Sequence, residues 1–349
     1  MTLRTVDALI AAGLAPEDER TALEQVADAY AVAVTPAMAA LIDREDAGDP
    51  IGRQFVPSAD ERTVAAAERF DPIGDEAFSP VPGVVHRYPD RVLLKPTHTC
   101  PVYCRFCFRR EVVGPEGAGN LSAAELEAAL DYIRRTPAVW EVILTGGDPL
   151  VLSPRRIGEI VRALDAIGHV GAIRIHTRVP AVAPERIDTA MLAALQSGTT
   201  VYVALHANHA RELTSEARAA CRRLIGAGIA MLSQSVLLRG INDDIDTLAG
   251  LMRAFVETGI RPYYLHHPDL ARGTGHFRVS IAEGQALMRA LRGRVSGLCQ
   301  PTYVLDIPGG HGKSPIGPVY LAEPGAENAE ALVEDYQGRM HAYRRTEEG

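Results

Sequence analysis

From Arg91 onward the chain alternates between short β-rich runs and longer stretches whose apolar residues recur at helical spacing. The β-rich runs are RVLLK at 91–95, EVILT at 141–145, AIRIH at 172–176, VYVAL at 201–205, MLSQSVLL at 231–238 and PYYLH at 262–266. Helical patterns cover 122–135, 154–166, 184–196, 212–227, 245–258 and 281–291. Strand–helix units repeated in this way predict an α/β fold, a parallel sheet covered by helices. The rhythm suits a partial (β/α)6 barrel, although an open doubly wound sheet would read in the same way. A further strand, PTYVL at 301–305, precedes a glycine-rich turn. Upstream, residues 5–12, 16–30 and 36–43 show helical spacing, and from 49 to 82 prolines and glycines break it. The last 25 residues read as a helical tail. The expected organisation is a helical cap and linker over 1–85, the barrel over 86–295 and a C-terminal segment over 296–349.

Composition narrows the function classes. Of 349 residues, 47% are hydrophobic and 23% charged, which is ordinary globular usage. Acidic side chains outnumber basic ones by 44 to 36, a net charge of -8, which argues against a nucleic-acid or anionic-membrane binder. No apolar run approaches the roughly 18 residues of a membrane helix. The opening MTLRTVDALIAAGLAPEDER carries acids and no long apolar core, so a cytoplasmic protein is expected. The five cysteines, Cys100, Cys104, Cys107, Cys221 and Cys299, are too sparse for a disulfide framework.

In a barrel, active residues belong at the C-terminal ends of strands. The unusual residues fall there. Three cysteines follow the first strand, Gly146-Gly147-Asp148 the second, His176-Thr177-Arg178 the third, and His206-Ala207-Asn208-His209 the fourth. Cys100, Cys104 and Cys107 are spaced C-x3-C-x2-C. Three thiolates from one short loop can converge on one inorganic centre, and they fall one short of a closed iron–sulfur or zinc site. The alternative is a structural zinc ion with His98 as fourth ligand. Cys221 and Cys299 read as packed thiols. Further on, Gly309, Gly310 and Gly312 precede Lys313. The P-loop spacing fails, which leaves phosphate cradling by the loop, a Schiff base between Lys313 and a carbonyl cofactor, or a plain solvated surface charge, the commoner fate of a lone lysine.

The cysteine spacing together with LTGGDPL at 144–150 resembles the radical S-adenosylmethionine (SAM) superfamily. The segments CRFCFRR, RIHTRVP, HANH, QSVLLRGINDD, RPYYLHHPDLARGTGHFR and PTYVLDIPGGHGKSPIGP resemble, in order and spacing, its lysine 2,3-aminomutase family. The resemblance implies a partial (β/α)6 radical SAM barrel with an N-terminal helical segment and a C-terminal cofactor-binding extension. It implies a [4Fe-4S] cluster on Cys100, Cys104 and Cys107, with the open iron binding SAM. Gly146, Gly147 and Asp148 match the turn that contacts the methionine amino group, and His206 and Gln234 help bind SAM. Lys313 is the implied pyridoxal 5′-phosphate lysine, with a departure at His311, where the family commonly has glycine.

For the substrate, the resemblance places a carboxylate-binding arginine at Arg109, a role for which a guanidinium is suited. Arg105 and Arg110 are the neighbouring alternatives. Asp269 and Asp306 match two aspartates that bind the side-chain ammonium of lysine, and two carboxylates would repel glutamate. The implied activity is an isomerase, L-lysine 2,3-aminomutase, giving β-lysine. Alternatives are the lysine aminomutase of elongation factor P modification, an aminomutase for another cationic amino acid such as arginine, a radical SAM reaction without pyridoxal phosphate, and a zinc-stabilised binding module. The resemblance also implies a reducing electron donor such as flavodoxin or ferredoxin, and it is compatible with a homo-oligomer.

Overall fold

The computed structural model describes residues 1–114, 119–322 and 331–343. Nine strands form one sheet in strict sequence order: β1 (Val84–Tyr88), β2 (Arg91–Thr97), β3 (Glu141–Gly146), β4 (Ala172–Thr177), β5 (Thr200–His206), β6 (Ala230–Val236), β7 (Arg261–His266), β8 (Thr302–Asp306) and β9 (Lys313–Pro315). Each consecutive pair from β2 to β8 is parallel, and β1 and β9 add antiparallel edges. A doubly wound sheet reverses its strand order at a switch point. The unbroken order therefore selects the singly wound partial barrel.

Four short helices precede the sheet: α1 (Val6–Ala11), α2 (Arg20–Ala29), α3 (Pro36–Ala39) and α4 (Gly52–Phe55). The crossovers carry α5 (Ala123–Arg134), α6 (Pro154–Asp165), α7 (Val179–Val182), α8 (Thr189–Ala194), α9 (Ser215–Gly226), α10 (Ile245–Thr258) and α11 (Ile281–Arg294). Their starts follow from local chemistry. Ser122 with Glu125, and Ser280 with Glu283, form reciprocal capping boxes that satisfy the free N–H groups of α5 and α11. The α10 helix stops at Gly259, whose φ of 87° suits the left-handed cap.

The alternation of strand side chains divides the sheet into two faces. Val142 and Leu144, Ile173 and Ile175, and Val203 and Leu205 are buried in the apolar core. Their in-between neighbours Ile143, Thr145, Arg174, His176 and His206 line a cavity. One face thus provides packing energy and the other presents polar groups.

Two expectations are corrected. The segment before Arg91 contains strand β1, because Pro89 and Asp90 close a tight hairpin that pairs Tyr88 with Arg91. The tail is not helical among its described residues. It forms β11 (Ala331–Glu334) and β12 (Met340–Tyr343), which join β10 (Leu321–Ala322), just before the tail, in an antiparallel sheet. Asp335 explains the difference. Its carboxylate accepts from the N–H groups of Gln337 and Arg339, which bends the chain into a turn instead of a helix. The rest of the expected tail lies outside the described residues. The strands β8 and β9 of the expected C-terminal segment join the barrel sheet.

The N-terminal cap grips the loop after β2. Glu61 is buried and accepts from Arg105 Nε at 2.9 Å and Arg105 Nη2 at 2.7 Å, and it also pairs with Arg110. Burial works to raise the Glu61 pKa, but the two guanidiniums hold it below the ordinary carboxylate value. Removing one partner leaves the buried charges of the others unpaired. Glu61→Ala is expected to cost about 3–5 kcal/mol of unfolding free energy. Urea titration checks this, and a loss under about 1 kcal/mol would contradict the assigned role.

Candidate active site

Cys100, Cys104 and Cys107 lie on the segment between β2 and α5, which has no long helix or strand of its own among its described residues. Contacts with the cap hold it in place. Tyr103 N–H donates to the Ala33 carbonyl at 3.2 Å and Arg105 N–H to the Gln54 carbonyl at 2.8 Å. The three cysteines open onto a cavity of about 510 Å³ at the C-terminal ends of the strands. The residues implied for SAM, pyridoxal phosphate and substrate line the same cavity: Arg109, Gly146, Gly147, Asp148, His206, Gln234, Asp269, Asp306 and Lys313. Residues far apart in sequence therefore share one chamber.

Burial pushes all three thiols up, Cys107 to about 11. Buried thiols bind metal only by losing their protons, so metal loading at these cysteines would be coupled to deprotonation. Arg178 offsets burial at one of them. Its Nη1 lies 3.0 Å from Cys104 Sγ, and its Nη2 donates to Gln54 Oε1 at 3.1 Å and pairs with the buried Glu212. Among the described residues, no three His, Cys, Asp or Glu side chains are arranged to hold a single metal ion. His98 does not line the cavity. Cys100, Cys104 and Cys107 all border the cavity, which leaves space beside them for an inorganic centre. Cys221 and Cys299 are buried within the apolar core, as packed thiols.

The turn after β3 explains its glycines. Gly146 has φ 106°, and a Cβ there would lie 2.6 Å from the Thr97 carbonyl oxygen. A Cβ on Gly147 would lie 2.3 Å from the Thr99 carbonyl oxygen. The backbone of this turn is thus pressed against the start of the cysteine loop, which leaves no room for a side chain. The carboxylate of Asp148 is taken up internally. It accepts from Thr177 Oγ1 at 2.7 Å, Leu150 N–H at 3.0 Å and Arg178 N–H at 2.7 Å. Asp148 braces the β3 and β4 ends.

At the opposite wall, Lys313 Nζ lies 2.5 Å from Asp306 Oδ1. Asp306 Oδ2 lies 3.2 Å from His266 Nδ1. Burial alone would raise the Asp306 pKa, but His266 and Lys313 hold it well below the ordinary value. Asp269 is pushed up to about 7, by burial and then by Asp306. Gly309, Gly310 and Gly312 all adopt φ near the left-handed region, at 88°, 86° and 86°. His311 is exposed, so the departure at this position leaves the loop's three turns to glycine. Arg109 donates to Asp75 Oδ2 from Nε at 3.1 Å and Nη2 at 3.0 Å, and to Thr145 Oγ1 at 3.3 Å. Arg105 and Arg110 instead serve Glu61.

Sequence reading missed Asp75, which also accepts from Arg87 at 2.8 Å, and the cavity-lining Arg87, Arg91, Arg174 and His266. The strand period gave one usable signal. In AIRIHT, Arg174 and His176 break an apolar strand at alternate positions. Asp75, one of several acids in an irregular segment, offered none.

His206 Nε2, Gln234 Oε1, Asp269 Oδ1 and His176 Nε2 are buried without a hydrogen-bond partner. Orphaned polar atoms around a cavity of this size suit a polar ligand. Burial lowers His206 to about 3, so its imidazole is neutral and can accept as well as donate.

Fold and site together define a radical SAM enzyme. The profile of the radical SAM superfamily matches residues 94–252, and that of lysine-2,3-aminomutase matches 288–349. The L-lysine 2,3-aminomutase of Acetoanaerobium sticklandii is 39% identical over 330 residues, covering 95% of this chain and 79% of that protein. That of Clostridium subterminale is 38% identical over 327 residues, covering 94% and 78%. The glutamate 2,3-aminomutase of Clostridioides difficile is 34% identical over 322 residues, covering 92% and 75%. The chain belongs to the lysine 2,3-aminomutase family, and it is an isomerase of the aminomutase type. Its radical SAM domain implies a [4Fe-4S] cluster and SAM.

The glycine cradle yields a prediction. Gly147→Ala displaces the loop bearing Cys100, so the variant is expected to retain less iron after anaerobic reconstitution while circular dichroism stays unchanged. Full iron retention would contradict the cradle's role.

Proposed function

We propose that the chain is an L-lysine 2,3-aminomutase that converts L-lysine to β-lysine with a [4Fe-4S] cluster, SAM and pyridoxal 5′-phosphate. The observation that carries the substrate choice is the pair Asp269 and Asp306 in the cavity wall beside Lys313. Family membership alone leaves the side chain open, because a glutamate 2,3-aminomutase is among the relatives. Two carboxylates attract a side-chain ammonium and repel a carboxylate.

When bound, the reduced cluster and SAM supply a hydrogen-abstracting alkyl radical, and pyridoxal phosphate carries the migrating amino group. The chain's own residues do the rest. Cys100, Cys104 and Cys107 would hold the cluster. Gly146, Gly147, Asp148, His206 and Gln234 would form the SAM pocket. Lys313 would tether pyridoxal phosphate. Arg109 would bind the substrate carboxylate, with Asp75 fixing the guanidinium plane through two N–H groups. Arg87, Arg91 and Arg174 give the cavity further positive charge against the anionic groups of these ligands. The barrel walls exclude water from the reacting carbon. A one-electron donor such as flavodoxin or ferredoxin would reduce the cluster, in the cytoplasm. No helix among the described residues is long and apolar enough to cross a membrane.

Anaerobic reconstitution with iron, sulfide and pyridoxal phosphate, followed by assay of lysine, arginine and glutamate, tests this reading. β-Lysine from lysine, with little turnover of the other two, is expected. Efficient glutamate isomerisation would overturn the assignment of the two aspartates. Lys313→Ala is expected to lose pyridoxal phosphate that borohydride fixes covalently in the parent, as read by peptide mass. Persistent fixation at another residue would contradict the tether.

The Asp269 pKa gives a pH prediction. With a value of about 7 in the ligand-free cavity, Asp269 is neutral below that pH and anionic above it. The lysine side chain remains cationic throughout this range. Lysine affinity is therefore expected to rise as pH increases through about 7. Asp269→Asn is expected to flatten that rise and to raise KM about 10- to 100-fold, the worth of a hydrogen bond to a charged group. An unchanged pH profile in the variant would contradict the role.

A further inference from the structure

We propose that His266 is a positioning residue whose two ring nitrogens hold the amide of Gln234 and the carboxylate of Asp306, keeping the SAM side and the amino-acid side of the cavity in register. The inference rests on the ligand roles proposed above for Gln234 and Asp306. It adds a residue to which neither the sequence motifs nor the family relationship assigned a task here.

The three residues sit on consecutive strands. Gln234 is on β6, His266 ends β7 and Asp306 ends β8. His266 Nε2 lies 2.9 Å from Gln234 Nε2, and His266 Nδ1 lies 3.2 Å from Asp306 Oδ2. All three side chains are buried, His266 being 6% exposed. An ionised carboxylate only accepts hydrogen bonds, so the proton must sit on His266 Nδ1. Burial pushes the pKa of this ring below its ordinary value, against the opposing pull of Asp306, and in the neutral Nδ1–H form Nε2 is an acceptor. The Gln234 NH2 group must then be the end that faces the ring.

Two consequences follow. The Gln234 amide cannot turn over, and its Oε1, buried and without a protein partner, is held as an acceptor on the cavity side. Asp306 is fixed by one oxygen on His266, while the other pairs with Lys313. That second oxygen can exchange Lys313 for a substrate ammonium without the carboxylate swinging away. A single neutral imidazole thus sets an acceptor for one ligand and an anion for the other.

Two near-isosteric substitutions separate the halves. An asparagine amide falls near the Nδ1 position and a glutamine amide near Nε2. His266→Asn keeps a donor for Asp306 and removes the acceptor for Gln234, and His266→Gln does the reverse. Each is measured for SAM affinity by equilibrium dialysis on iron-reconstituted full-length protein, and for the KM of lysine. His266→Asn is expected to weaken SAM binding about tenfold with KM little changed. His266→Gln is expected to raise KM about tenfold with SAM affinity little changed. Both variants moving both quantities together, or neither moving either, would overturn the proposal. Gln234→Ala separates the two layers of the argument. If it binds SAM normally, the ligand role of Gln234 fails and takes the proposal with it. If it binds weakly while His266→Asn does not, His266 alone is wrongly placed. Nitrogen NMR of the ring in the unsubstituted protein gives an independent reading. A neutral Nδ1–H form is expected, and a cation or an Nε2–H form would overturn the inference even if the variants fail to fold.

Discussion

The buried carboxylate of Glu61, held between Arg105 and Arg110, is the contact on which the rest of the site depends. The described residues of the cysteine loop gain no long run of sheet hydrogen bonds beyond the end of β2, yet three sulfurs border one cavity. Ion pairs with the loop's own arginines hold it in place, because an unpaired charge in this interior would be strongly unfavourable. A second pair grips the loop from the barrel side. Arg178, beyond the end of β4, touches Cys104 while it pairs with the buried Glu212. Gln54 of the cap joins the systems, since its amide bonds Glu212, Arg178 and Asn208. The N-terminal helices therefore act as the far half of the clamp on the cysteines.

The sheet performs the complementary task. Its apolar positions pack against the helices and fix the strands, and the alternate positions hold polar groups toward the chamber. Each strand delivers its polar side chains at its C-terminal end: Thr145, His176, His206, Gln234, His266 and Asp306. The sequential strand order sets these groups around an arc. The sulfur loop after β2 lies at one side and Lys313 on β9 at the other, and both border one cavity.

Much of this was legible in the chain itself. The strand–helix rhythm gave the barrel strands, and the C-x3-C-x2-C spacing, the paired glycines and the GGHGK run marked the walls of the chamber. Local pattern could not reach the residues that hold those walls in place. Glu61 meets Arg105 across 44 positions, and Gln54 meets Glu212 across 158. Nothing in their immediate neighbourhoods distinguishes them from surface polar residues. Asp75 and His266 were hidden for the same reason. The tail misled for a local reason, because apolar spacing compatible with a helix is overridden where Asp335 captures the following N–H groups.

The central claim is spatial: the sulfur-bearing loop and Lys313 border one cavity, so that in the proposed reaction hydrogen would pass directly between the adenosyl group of SAM and the substrate. Lysine deuterated at C3 tests this most directly, with the adenosyl group of recovered SAM examined by mass spectrometry after turnover. The account predicts deuterium at the adenosyl 5′ carbon and its return to product. β-Lysine formed with no label in the adenosyl group, or with the label lost to water, would contradict it.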